Sequence, residues 1–164
     1  MTNNEAASGL QSNSSSEELE KVDYSQSNGL INRLVQLNCS VAISSYQSGF
    51  LYHLGCGPKG GLHLHRAVMA KPMGLSYDGE GGLTLAGGSE IIQFKNVLAS
   101  GEHVNNTFDA CFMPRRIHVT GGLDAHDIGI KGNGAPIFVN TRFNCLATVS
   151  NQHSFQEVWR PSFI

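Results

Sequence analysis

Met73-Gly74-Leu75-Ser76-Tyr77-Asp78-Gly79-Glu80-Gly81-Gly82-Leu83-Thr84-Leu85-Ala86 and His126-Asp127-Ile128-Gly129-Ile130-Lys131-Gly132-Asn133-Gly134-Ala135-Pro136-Ile137-Phe138-Val139 follow one plan. Each opens with a short strand-like run, breaks at a turn of the Asp-Gly or Lys-Gly-Asn-Gly type, and resumes as a second apolar strand. Each is followed by a third run (Glu90–Asn96; Cys145–Ser150) and a fourth (Phe108–Met113; Phe155–Trp159). A four-strand unit recurring after about 50 residues is the signature of propeller blades. Nothing helical separates the strands, which argues against a parallel α/β sheet. The abundance of glycine, 19 residues, suits a fold with many tight turns.

Upstream of Met73 the pattern is incomplete. Ser40–Tyr46, Phe50–Leu54 and Leu62–Val68 are three β-type runs separated by Gln47-Ser48-Gly49 and the Gly/Pro-rich 55–61. In a blade labelled A to D from the central channel outward, they supply B, C and D and leave A missing. His63 and His65 alternate with leucines as in a half-buried strand. A solvated strand face accounts for them, and for His53, without a metal. Residues 30–37 place apolar side chains at 30, 31, 34 and 35, a short helix-like spacing. Residues 1–28 are rich in Ser, Asn, Gln and Glu and read as a disordered tail, with a capping-box turn at Ser14 or Ser15 and Glu17 or Glu18.

The expected architecture is therefore all-β: a tail over 1–28, then an open, partial β-propeller over 29–164 with blades at 39–70, 72–114 and 126–161. The chain ends at Pro161-Ser162-Phe163-Ile164, directly after the third unit. Closed propellers have about four to eight blades, so the chain is expected to be an N-terminal portion of a longer protein whose remaining blades lie beyond it.

Blade topology also sorts the polar residues. If A leaves one rim, B returns to it, C leaves and D returns, so the start of A, the B–C turn and the D-to-A link share that rim. In the third unit these are His126-Asp127, Asn140-Thr141-Arg142-Phe143-Asn144, and the link Arg115 to Ala125 with His118 and Asp124. His126, Asp127 and Asn140 are side chains a divalent metal would accept, with His118 as a general base. Alternatively, Asp127 and Asn140 satisfy backbone groups in the turns while Arg142 pairs with Asp124 or Asp127. Arg115 and Arg116 can grip a carboxylate or phosphate, and with Asp124, Asn140 and Arg142 they complete a ligand-binding rim. Lys131–Gly134 falls on the opposite rim as ordinary turn chemistry.

The remaining composition excludes more than it assigns. A formal charge of -2 gives no electrostatic case for nucleic acid or an anionic membrane. No apolar run reaches the roughly 18 residues of a membrane span, and no signal-peptide pattern opens the chain, so a cytoplasmic location is expected. Cys39, Cys56, Cys111 and Cys145 form no C-x-x-C pair and read as buried free thiols, with Cys111 and Cys145 inside strands. No nucleophile elbow, P-loop or zinc-protease helix is present. Trp159 is expected to pack the outer strand.

From Leu37-Asn38-Cys39 to the C-terminus the chain resembles the DUF4915 family. The features that carry the likeness are Pro72-Met73-Gly74-Leu75, Asp109-Ala110-Cys111-Phe112-Met113-Pro114-Arg115, His118-Val119-Thr120-Gly121, Asp124-Ala125-His126-Asp127, Phe138–Leu146 and Trp159-Arg160-Pro161. The resemblance implies a β-propeller in members longer than this chain. They continue with a Cys-His-Leu-Asn-Gly segment absent here, and Ser162 stands where they have a second proline. It brings no established activity. The absent segment is similar to metal-binding loops of gluconolactonase-like propellers, a likeness of fold alone. Three readings follow: a module binding a small polar ligand or a protein segment, a metal-dependent hydrolase, or a fragment without activity of its own.

Overall fold

The computed structural model describes residues 23–163, so the capping turn expected near Ser14 and most of the expected tail lie outside the described residues. One helix, α1 (Leu30–Leu37), precedes eleven strands. Its apolar spacing turns Leu34 inward against the first sheet, and Asn38 ends it in the left-handed conformation (φ 47°). Among the described residues no helix is long and apolar enough to cross a membrane.

The strands form three open antiparallel meanders. The first sheet holds β1 (Val41–Ser45), β2 (Phe50–Cys56) and β3 (Leu62–Val68). The second holds β4 (Leu75–Tyr77), β5 (Gly82–Ala86), β6 (Glu90–Asn96) and β7 (Phe112–Val119). The third holds β8 (Ala125–Ile130), β9 (Pro136–Asn140), β10 (Cys145–Thr148) and β11 (Gln156–Trp159). Each meander pairs neighbours in sequence, as its tight turns dictate. The result is an open, propeller-like all-β array.

Packing between sheets explains the burial pattern. Leu51 of the first sheet meets Leu83, Leu85, Ile92 and Phe94 of the second. Ala86 and Ile91, on the second sheet's other face, meet Leu123, Ala125, Ile128, Phe138, Cys145 and Ala147. The second sheet is thus covered on both sides, and all five residues of β5 are buried, including Thr84. A half-solvated strand would alternate instead. At Gly74 the backbone of the second sheet comes against β8, where Gly74 N–H donates to the Ala125 carbonyl at 3.4 Å.

Three expectations need correction. The fourth strand of the second unit is Phe112–Val119, not Phe108–Met113. Asn105 and Asn106 take left-handed conformations (φ 51° and 55°) and close a turn bridged from Val104 to Phe108, so Phe108 belongs to a loop. Arg115, Arg116 and His118 consequently lie in a strand and not in the link to the third unit. Cys39 and Cys56 are exposed rather than buried, and Cys111 precedes β7 instead of lying in a strand. Cys145 alone is buried, and that burial pushes its thiol pKa up, with Glu157 adding to the effect and Arg160 opposing it. Trp159 ends the outer strand but remains about half exposed, at 55%.

The histidine face of the first sheet is not simply solvated either. His53 and His65 are register partners with ring centroids 6.2 Å apart. His53 stacks on Phe112 at the start of β7 at 5.6 Å, and His63 lies 4.4 Å from Phe108. His53 Nε2 is enclosed without a hydrogen-bond partner. Burial, and then the neighbouring His65, lowers the His53 pKa below its ordinary 6.5. Burial, and then Arg116, lowers that of His118. The folded chain therefore binds fewer protons than the unfolded chain in this range. The stability from these neutral imidazoles is complete above about pH 6.5 and is lost as pH falls through the depressed folded-state values. Urea unfolding at about pH 7.5, 6 and 5 should show stability falling with acid, and His53→Phe, which keeps a ring against Phe112, should flatten that slope. An unchanged slope in the variant rules out His53 as its source.

Candidate functional site

Two bulges decide which polar side chains meet. The first lies between β6 and β7: Gln93 pairs with Arg116 and Phe94 with Pro114, leaving Arg115 as the extra residue. Adjacent residues on a regular strand point to opposite faces. A bulge sets two residues against one and breaks that alternation. Arg115 and Arg116 accordingly line the same cleft, on the side of the second sheet that faces the third.

The cleft has a volume of ≈ 390 Å³ and opens toward the rim carrying the turns at 78–82 and 131–134. Thr84, Gln93 and Arg116 form one cross-strand row at its wall. Lys95 stands two residues along β6 from Gln93, on the same face. Arg116 Nη1 donates to Gln93 Oε1 at 3.3 Å, while Gln93 Nε2 donates across to the Gly134 carbonyl at 3.2 Å. Gln93 thereby orients one guanidinium and ties the two sheets at the cleft.

Lys95 Nζ reaches Asp78 Oδ2 at 3.4 Å and donates to the Glu80 carbonyl at 2.9 Å. Burial alone would raise the Asp78 pKa. The N–H groups of Glu80 and Gly82, both 2.7 Å from Oδ1, together with Lys95, outweigh it and hold the carboxyl below its usual value. Asp78 therefore remains ionised and offsets Lys95. Among the described residues neither Arg115 nor Arg116 has a carboxylate partner, so the cleft keeps two uncompensated guanidinium charges.

The second bulge lies between β8 and β9. Ala125 pairs with Asn140 and Ile128 with Phe138, leaving His126 and Asp127 opposite Val139 alone. All three are exposed. Asn140 shares the opposite, buried face with Phe138 and Cys145, and is fully enclosed at 0% exposure. Its Oδ1 accepts from Phe143 N–H at 3.3 Å and caps the 3-10 turn Thr141–Phe143, while its Nδ2 has no partner. Asp127 Oδ1 accepts its neighbour Ile128's N–H at 2.8 Å. The set His126, Asp127 and Asn140 does not converge. Among the described residues no three His, Cys, Asp or Glu side chains group closely enough to hold a metal ion.

Of the expected rim, the segment around Leu123 and the turn at 141–143 meet through the backbone. Thr120 and Gly121 N–H donate to Ser89, and Arg142 N–H donates to the Leu123 carbonyl at 3.2 Å. Arg142 Nη1 takes the Gly122 carbonyl at 3.2 Å and pairs with neither Asp124 nor Asp127. Asp124 is exposed in a left-handed conformation (φ 50°), which aspartate tolerates better than most residues. His118 lies toward this rim, opposite Ile91, with Nε2 enclosed and unpartnered. Arg115 and Arg116 belong instead to the cleft that opens the other way. Sequence reasoning missed Asp78, Thr84, Gln93 and Lys95. The alternation of Gln93 and Lys95 around Phe94 was the available signal, but only the β6–β7 register ties them to the arginines.

The model of the family described as a domain of unknown function, DUF4915, matches residues 28–164. No curated protein and no solved structure is similar enough to the chain to count as a match.

Proposed function

The chain belongs to the DUF4915 family, and from the geometry of the inter-sheet cleft we propose that it is a propeller-type binding module for a small anionic ligand. The observation that carries this reading is the β6–β7 bulge, which directs two guanidinium groups without carboxylate partners into one cleft. A volume of ≈ 390 Å³ falls within the range of small-molecule sites. Guanidinium forks match carboxylate and phosphate oxygens and give charge-assisted hydrogen bonds. The cleft walls come from two sheets, so a ligand seated there touches both and stabilises their packing.

The test is an NMR titration that follows the arginine side-chain Nε–Hε signals with glycerate and glycerol 2-phosphate, and with choline as a cationic control. At least one anion should shift the Arg115 and Arg116 signals saturably, and choline should not. The double variant R115Q/R116Q should weaken binding at least about tenfold, the effect of removing charge-assisted hydrogen bonds. Absence of saturable anion binding, or equal binding by the variant, refutes the reading.

A further inference from the structure

Resting on that reading, we infer that the cleft selects a phosphate monoester dianion over a carboxylate. Two features of the site set the preference: the number of cationic forks and their net charge. A single carboxylate carries one charge on two oxygens, which satisfies one guanidinium fork. Arg115 and Arg116 present two forks on one face because of the bulge, with Lys95 on the neighbouring strand of that face. Asp78 compensates Lys95 at 3.4 Å and leaves the two arginine charges in excess. A phosphate monoester brings close to two negative charges and three acceptor oxygens, enough to meet both forks at once. Gln93 acts as a positioning residue: its Oε1 holds Arg116, and its Nε2 is anchored on Gly134 of the third sheet. Asp78 also acts against anions that lack the charge to outcompete it for Lys95. The wall Thr84 is buried, at 3% exposure, and closes the inner side of the row.

The ionisation of the ligand gives a test in which competing effects have opposite signs. A phosphate monoester takes on its second charge around pH 6, whereas a carboxylate is already ionised throughout the range from about 5 to 7.5. The groups that face the cleft are Asp78, Lys95, Arg115 and Arg116, and His118 lies two positions beyond Arg116 on the same strand. Protonation of His118 at low pH adds positive charge and strengthens the binding of any anion in acid. Gain of the second phosphate charge strengthens binding in the other direction, toward higher pH.

Affinities of the intact chain for glycerol 2-phosphate and glycerate should therefore be measured by calorimetry at about pH 5 and 7.5. Glycerol 2-phosphate should bind at least about fivefold more tightly at the higher pH, the least that one extra charge contributes near the surface. Glycerate should hold steady or weaken as pH rises. Gln93→Leu should reduce the phosphate preference while leaving weak binding of both anions. Saturable glycerate binding with no phosphate preference would overturn the dianion inference and leave the anion-binding reading standing. Binding of neither probe removes both. A phosphate preference that does not grow with pH also overturns the inference.

Discussion

Phe138→Ala should cost about 3–5 kcal/mol of folding stability, the range for removing a large aromatic from a packed core. Phe138 is 1% exposed and sits in the middle of β9, paired with Ile128 on one side and Ala147 on the other. Its ring belongs to the cluster that joins Ala86 and Ile91 of the second sheet to the third. Its removal leaves a cavity lined by apolar side chains, which water does not usefully fill. Small domains have only about 5–15 kcal/mol of stability, so the variant should unfold at a much lower urea concentration. The control is Val139→Ala, one residue further on and turned to the exposed face at 39%. That change should cost no more than about 1 kcal/mol, since the side chain stays partly in water and its removal leaves no closed cavity. Equal losses for the two variants would mean that the contact between the second and third sheets is not what holds the fold.

The contrast between these neighbours also indicates what could be read from the chain. Apolar residues alternating on either side of Asp78-Gly79 and Lys131-Gly132-Asn133-Gly134 announce hairpins because the turn residues and the two-residue period agree. The runs Glu90–Asn96 and Leu62–Val68 appear in the structure with the same ends. The end of the second unit was harder to read, because Arg115-Arg116-Ile117-His118 has the composition of a loop. It is a strand because β6 offers a free edge to pair with, a tertiary fact that no local pattern carries. Local propensity is the weaker influence in strands.

The candidate site was less legible for a related reason. Both bulges change which face a side chain joins, and a shift of one residue moves everything beyond it to the other side. Without register, His126, Asp127 and Asn140 form a cluster in sequence. With it, Asn140 is inside the core and the other two are outside. The same geometry unites Arg115 and Arg116, which strict alternation would have separated. His63 and His65 illustrate the complementary difficulty: their common face was visible from alternation, but the packing of Phe108 against His63 comes from a residue far along the chain.

Gly74→Ala should destabilise the chain by about 1–3 kcal/mol, through overpacking rather than a lost contact. A Cβ at Gly74 would stand 2.9 Å from the Cα and carbonyl carbon of Asp127 and from the amide nitrogen of Ile128. These are backbone atoms, so no side-chain rotation can make room, and only separation of β4 from β8 can. That movement also lengthens the bond from Gly74 N–H to the Ala125 carbonyl. The general effect of glycine replacement has the opposite sign, because alanine restricts the unfolded chain by about 0.4–1 kcal/mol. Gly132→Ala isolates that effect, since Gly132 has open space around its Cβ position. Gly132→Ala should therefore be neutral or slightly stabilising in urea unfolding, and Gly74→Ala clearly destabilising. The consequence extends to the cleft, because the same two sheets form its walls and Gln93 spans them to Gly134. Under conditions where Gly74→Ala remains folded, its Gln93 side-chain amide signals should move toward solvent-exposed positions and its anion affinity should fall. A Gly74→Ala chain as stable as wild type would show that the second and third sheets can separate at β4 and β8 without loss, and that their close backbone approach does not determine the shape of the cleft.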